Sequence, residues 1–203
     1  MIFLESPKTA SRQERDSDQL VLSTAWKIVQ DADYQAVTMD AVAISAKISK
    51  NALYHKWPDR AMLVTAAFAK YDQKAVSLRV PNGGHLERDF SQLFAALLPE
   101  INELSRPKFA GLVTERLEDV PVNQILSIGP GKDFQSVLMC ILKRADKRHQ
   151  IQLNQLSDNV LNLPALLLVN QIILGKHVTK KDLDQLITEI LLPVYTASKI
   201  KWI

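Results

Sequence analysis

The chain holds one cysteine in 203 residues, Cys140, so no disulfide can close within it. No Cys/His pair stands at zinc-finger spacing, and His55, His85, His149 and His177 are scattered without metal-ligand spacing. Neither a metal, a cofactor nor an oxidising compartment is therefore indicated, and the cytoplasm is the expected location. Glycine is scarce, at six, and aromatics make up only 6%. With Leu, Ala, Ile, Val, Lys and Gln dominant, that scarcity disfavours a sheet-rich design and predicts an all-α protein. Long apolar runs are missing as well. Met1-Ile2-Phe3-Leu4 runs straight into Glu5, Lys8, Arg12 and Glu14, which is no export signal, and Val160 to Leu174 is interrupted by Asn162, Pro164, Asn170 and Gln171. No membrane span is expected, and the 47% apolar content is read as the core of a folded, soluble protein.

A catalytic constellation is also lacking. Ser105 and Lys108, with Ser157-Asp158-Asn159, imitate two penicillin-recognising motifs, but the Lys-Thr-Gly element is missing and Pro107 falls between serine and lysine. The glycines form no phosphate loop, so no enzyme is expected. The net charge of +3 is too small to argue for nucleic acid, but its distribution is uneven. Between residues 47 and 60, Lys47, Lys50, Lys56 and Arg60 stand against Asp59 alone.

What is present is helical periodicity. Residues 1–17 are polar, of mixed sign and without apolar period, and read as a flexible tail, inert unless Arg12 and Arg15 reach a nucleic acid. Val21, Ala25, Ile28, Val29 and Ala32 form the stripe of a first amphipathic helix. Thr38 offers an N-cap to a short helix from Met39 to Ala46, and Ser49 another to a helix from Lys50 to about Lys56. Lys47 and Ile48 form the turn between them, and Val42, Ala43, Ala46, Ile48 and Leu53 are small or aliphatic where the two would cross. This is a helix-turn-helix layout. Pro58 fits the first turn of a connecting helix that continues to about Val76. Pro81-Asn82-Gly83-Gly84 is the strongest break. Beyond it helices are expected at 86–104, 107–118, 133–149, 153–174 and 179–196, with breaks at Pro121 and Gly129-Pro130-Gly131, and with Thr179 and Asp182 as a capping box.

Residues 21–64 resemble, without a gap, the N-terminal domain of the tetracycline-repressor (TetR) family. Val21-Leu22-Ser23-Thr24-Ala25 is similar to that family's I-L-x-A-A, Ile28-Val29 to its L-F, Val42-Ala43 to its I-A and Ile48-Ser49 to its V-S. Tyr34 matches the aromatic after its helix-ending glycine and Thr38 its capping residue. The block Leu53-Tyr54-His55-Lys56-Trp57-Pro58-Asp59-Arg60 matches L-Y-x-x-F/W-P-x-K. Asp33, Lys47 and Asn51 depart from it, standing where the family has glycine. Asp33 can serve as a left-handed cap and Asn51 simply replaces a poor helix former, but Lys47 at positive φ would cost about 1 kcal/mol. Leu142-Lys143-Arg144-Ala145 with Arg148-His149-Gln150-Ile151 looks like the r-A-x-x-R-G-E-I segment of one TetR C-terminal subgroup, with His149 and Gln150 departing, and Pro164 through Gly175 resembles its later part.

The resemblance implies a helix-turn-helix DNA-binding domain over 18–64 and a helical regulatory and dimerisation domain over 65–203. Lys50, Asn51, Ala52 and His55 are the candidates to meet base edges of double-stranded DNA, Asn51 by pairing its amide with an adenine. Thr38, Ser49, Tyr54, Lys56 and Arg60 are the candidates around them, with Thr38, Tyr54, Lys56 and Arg60 resembling phosphate contacts. Tyr54 and Trp57 also fit a core role. The expected action is that of a homodimeric transcriptional repressor on a near-palindromic operator, released by an unidentified small-molecule effector. Phe68, Tyr71, Phe90, Phe94, Phe109 and Phe134 either line the effector pocket or belong to the core. Leu163, Leu166, Leu167, Ile173, Leu183, Leu186, Ile187, Ile190, Leu191 and Val194 are expected at the subunit interface, as a four-helix bundle across a two-fold axis. The competing reading is a non-enzymatic helical adaptor, which has no reason to gather Lys50, Lys56 and Arg60 around capped helix starts.

Overall fold

The computed structural model describes residues 12–72, 78–119, 126 and 134–197. Residues 1–11, the end of the connecting helix near Val76, and the expected breaks at Pro121 and Gly129-Pro130-Gly131 lie outside the described residues. The described residues form helices and connecting turns with no strand among them, and no helix among them is long and apolar enough to cross a membrane. In chain order the helices are α1 (Arg12–Asp31), α2 (Met39–Ser45), α3 (Lys50–Lys56), α4 (Arg60–Tyr71), α5 (Leu86–Leu104), α6 (Leu112–Asp119), α7 (Phe134–Lys147), α8 (Asp158–Ile173), α9 (Lys180–Leu186) and α10 (Leu192–Ala197).

Several boundaries differ from the sequence expectation, each for a local reason. α1 begins at Arg12, so residues 12–17 are helical and not tail. Arg, Gln and Glu propagate a helix without any apolar period, and Glu14 and Asp16 sit near its positive end. Pro58 lies before α4 rather than in its first turn, because Asp59 is the cap and accepts from the Met62 amide at 2.6 Å. The helix expected at 107–118 is split by Gly111, whose φ of +92° ends a short 3₁₀ turn, Pro107–Phe109, before α6 begins. Likewise a 3₁₀ turn, Leu153–Gln155, precedes α8. Asp33 is not in the left-handed region; its Oδ1 accepts from the Ala36 amide at 2.9 Å instead.

The core is continuous from the N-terminal helices into the body. α1 lies along α4, and Trp26, Phe68 and Phe109 meet as an aromatic cluster with ring centroids 5.3–6.1 Å apart. α5 is the central strut, touching α7, α8 and α9. Asp89 on α5 is fully buried, but Arg148 contacts it at 2.8 Å and the Gly83 amide donates to it at 2.5 Å. That arrangement fastens the Pro81–Gly84 break to the end of α7, where Arg148 and the Leu86 amide also donate to Gln150.

The last helical stretch carries the expected capping box, Thr179 with Asp182. It does not stay α-helical, because a π turn, Ile187–Leu191, separates α9 from α10. Four-residue spacing drifts around an ordinary α-helix, and the wider i→i+5 turn corrects the drift. Leu183, Ile187, Leu191 and Tyr195 consequently share one buried row facing the body. Tyr195 ends that row by donating to the Val160 carbonyl at 3.0 Å. Pro164, inside α8, has no amide to give that carbonyl one turn back, so a side chain from α10 supplies the missing donor.

Candidate nucleic-acid interface

The reading head, α2 and α3, is specified residue by residue. Thr38 accepts from the Ala41 amide at 3.1 Å and Ser49 from the Ala52 amide at 3.2 Å, so both expected caps are formed. Between them the chain turns on Lys47, at φ +54°. The Ile48 amide reaches back to Ala43 at 3.0 Å and the Lys47 amide to Ile44 at 3.2 Å, the double bond of a helix end that favours glycine at the Lys47 position. His149, at φ +56°, closes α7 in the same way, with Gln150 bonded to Ala145 and His149 to Asp146, both at 2.9 Å. Both lysine and histidine thus occupy positions where the resembled segments carry glycine.

Val42, Ala43, Ala46 and Leu53 are buried at the crossing of the two short helices, with Ile48 half-buried beside them. That seating turns the other side of α3 outward. Lys50, Asn51, Ala52, His55 and Lys56 are exposed, as are Thr38 and Ser49. Tyr54 is 46% exposed, so it is not a core residue, whereas Trp57 is half-buried against the core. Ile44, on α2, is the most exposed large apolar side chain of the head.

Each of the three cations expected on DNA carries a carboxylate partner. Lys50 pairs with Asp40 at 2.7 Å and Lys56 with Asp18 of α1 at 2.5 Å, both near the surface. Ion pairs of that kind contribute roughly 0–1 kcal/mol and are readily exchanged for phosphate. Arg60 differs. Its guanidinium grips Glu115 of α6 through three hydrogen bonds of 2.7–3.2 Å and lies 4.8 Å from the centre of the buried Tyr34 ring. That pairing holds the Glu115 carboxyl below its usual range and raises the Arg60 guanidinium further. Arg60 is therefore corrected from a free phosphate contact to a bidentate bond between head and body.

Residues 21–67 match the sequence profile of the bacterial regulatory proteins of the tetR family. The chain is also 31% identical over 180 residues to uncharacterized HTH-type transcriptional regulators of Mycobacterium bovis and of two Mycobacterium tuberculosis strains, covering 88% of this chain and 87% of each relative. The chain belongs to the TetR family. It is accordingly a helix-turn-helix transcriptional regulator that binds DNA, and the match spans the whole reading head described above.

In this TetR-family chain the other expected site residues separate into distinct places. Phe68, Phe90, Phe94, Phe109 and Phe134 are buried core, and Tyr71 donates to the Gln19 carbonyl of α1 at 3.1 Å. Phe68 and Phe109 pack with Trp26, while Phe90 packs with Phe94 and Tyr195. Leu183, Ile187 and Leu191 are corrected from subunit interface to the core of a single protomer. The outward row of that helix, Leu186, Ile190 and Val194, is half-buried. On α8, Leu163 and Leu167 are half-buried, Leu166 is 47% exposed, and Ile173 and Leu174 are 53% exposed, whereas Ala165, Leu168, Val169 and Ile172 face the core.

Sequence reasoning missed Glu115, Asp18 and Asp40 as partners of the head's cations. It also missed the docking of the head onto the segment before Gly111. There the Tyr34 amide donates to the Lys108 carbonyl at 2.7 Å and the Lys108 ammonium to Gln30 at 2.6 Å. A Cβ on Gly111 would stand 2.5 Å from Gln35, a constraint visible only once the two loops are side by side.

Proposed function

We propose that this protein is a ligand-released transcriptional repressor that acts as a homodimer on a near-palindromic operator and carries out no catalysis. The single observation behind the DNA-reading role is the exposed start of α3, where Lys50, Asn51 and His55 follow the Ser49 cap with no protein packed over them. The head over 18–64 inserts α3 in the major groove, Asn51 reads a base edge, and Lys50, Tyr54, Lys56, Thr38 and Ser49 hold the backbone. The outward apolar row of α8, with Leu186, Ile190 and Val194 beside it, supports pairing of two body domains over 65–203.

Release works through differential affinity. A ligand that favours one placement of α6 acts, through Glu115 and Arg60, on the start of α4 and so on the spacing of two heads about 34–36 Å apart. The test measures binding of Asn51→Ala and Lys56→Ala to a selected operator and to random duplex at two salt concentrations. Asn51→Ala loses selectivity, whereas Lys56→Ala loses affinity on both duplexes and lowers the log–log salt slope by about 0.9. Equal losses of Asn51→Ala on both duplexes defeat its reading role, and a Leu166→Glu chain that sediments like the wild type defeats the α8 interface.

A further inference from the structure

Between Tyr34 and Pro58 the chain carries a single acid, Asp40, against Lys47, Lys50, His55 and Lys56. The other two paired cations of the interface take their partners from outside the two short helices: Lys56 has Asp18 on α1, and Arg60 has Glu115 on α6. Asp40 belongs to the head itself, in the first turn of α2, and its partner at 2.7 Å is Lys50, the residue that opens α3. The carboxylate therefore lies against the start of the reading helix. It is exposed, and so is Ile44 one turn along the same face of α2, whereas Met39, Val42, Ala43 and Ala46 are buried. Asp40 also lines one open cleft with Thr38 and Tyr54, both expected on phosphates. A carboxylate among phosphate contacts repels the duplex, and an exposed ion pair with Lys50 adds little to stability in return. Its place is explained if the charge takes part in reading DNA.

We propose that Asp40 is a specificity-determining residue, which accepts a hydrogen bond from the amino group of a cytosine in the major groove once Lys50 has left it for a phosphate. The inference rests on the placement of α3 in the major groove given above and adds a reading residue from α2. In the free chain the Asp40 carboxylate accepts from the Lys50 ammonium and holds it above its ordinary pKa, so each charge is answered. On the duplex the phosphates compete for Lys50, and the freed carboxylate needs another donor. Guanine and thymine present only acceptors on the major-groove edge, and adenine sets its N7 acceptor beside the amino donor. Cytosine presents its N4 amino group as a donor with no acceptor of its own beside it, the match for a carboxylate. Opposite cytosine, that amino group takes the place of the ammonium. Opposite any other base the carboxylate stands without a donor among phosphates, a penalty that falls only on wrong sequences. Asp40 thus lowers affinity for DNA in general and raises the ratio between operator and random sequence.

The experiment uses the full chain as wild type, Asp40→Asn, Asp40→Ala and Asn51→Ala. Each protein selects duplexes from a pool randomised over the binding site, and each is titrated against the duplex selected by the wild type and against a random duplex of equal length. The wild type selects a cytosine at one position of each half-site, and Asp40→Ala leaves that position unspecified. Asp40→Asn moves the preference there from cytosine to adenine, because a carboxamide pairs with the N6 and N7 atoms of adenine. Asp40→Ala binds the random duplex more tightly than the wild type does, and its ratio of selected to random affinity falls about tenfold. An acid that only supports the start of α2 would instead lower the thermal midpoint and weaken binding to both duplexes alike. That pattern overturns the inference, as does a random-duplex affinity that falls when the charge is removed. A consensus that fades in Asn51→Ala and is untouched in both Asp40 variants upholds α3 as the reading helix and defeats Asp40. A consensus altered at the cytosine by the Asp40 variants and untouched in Asn51→Ala upholds Asp40 and defeats Asn51. A wild type that selects no common sequence defeats the placement of α3 and this inference with it.

Discussion

The reading head and the body of this regulator are fastened by different means. In the head the defining bonds are local: Thr38 to Ala41, Ser49 to Ala52 and Asp59 to Met62 each span three residues. In the body they bridge distant stretches, as Asp89 to Arg148, Asn102 to Val178 and Tyr195 to Val160 do. A unit held by its own caps keeps its shape when its surroundings move, which suits a part that must present one face to DNA. A body held by long-range polar bonds between helices changes as a whole when one of them is broken, which suits a part that must respond.

The sharpest test of that contrast is Asp89→Ala, which leaves Arg148 and the Gly83 amide without their buried acceptor. A loss of roughly 3–5 kcal/mol is expected in urea unfolding. A loss below about 1 kcal/mol would mean that the long-range bonds do not govern the body. Tyr195→Phe comes next, since it strips the Val160 carbonyl of its donor, and it should cost about 1–3 kcal/mol by the same measurement. At the junction, a double-mutant cycle on Arg60→Ala and Glu115→Ala should return a coupling of about 1 kcal/mol, and a coupling near zero would uncouple head from body. Within the head, Ser49→Ala should cost about 1 kcal/mol, with the loss in amide exchange protection confined to α2 and α3. The smallest effect is a gain: Lys47→Gly relieves the φ of +54° and should stabilise the chain by at most about 1 kcal/mol, seen as a higher thermal midpoint.

The same contrast explains how much could be read beforehand. Thr38, Ser49, Lys47 and the face of α3 were legible because cap, turn and exposed side all lie within a few residues of one another. Lys47 stood out as a non-glycine in a turn that needs positive φ, and it adopts that φ. The all-α class was legible from composition and period. The role of Arg60 was not, because Glu115 lies 55 residues away and no local pattern ties the two. Nor was the division of the last helix into core and outer rows, since Leu183, Leu186, Ile187 and Ile190 are equally apolar. Only the π turn, which no residue pattern announces, decides which row faces inward. The six aromatics were seen as a set, but their spacing carries no information that Phe68 and Phe109 join one cluster while Phe90 and Phe94 join another.

Pro164 gives the chain a mechanical property. By leaving the Val160 carbonyl to be claimed by Tyr195, it ties α8 to α10 through a side-chain hydrogen bond, joining the two into one plate. A second subunit that docked against this plate would meet a finished surface and would not have to assemble one on arrival. Little ordering entropy would then oppose the encounter, and the strength of pairing would be decided by how slowly the plates part.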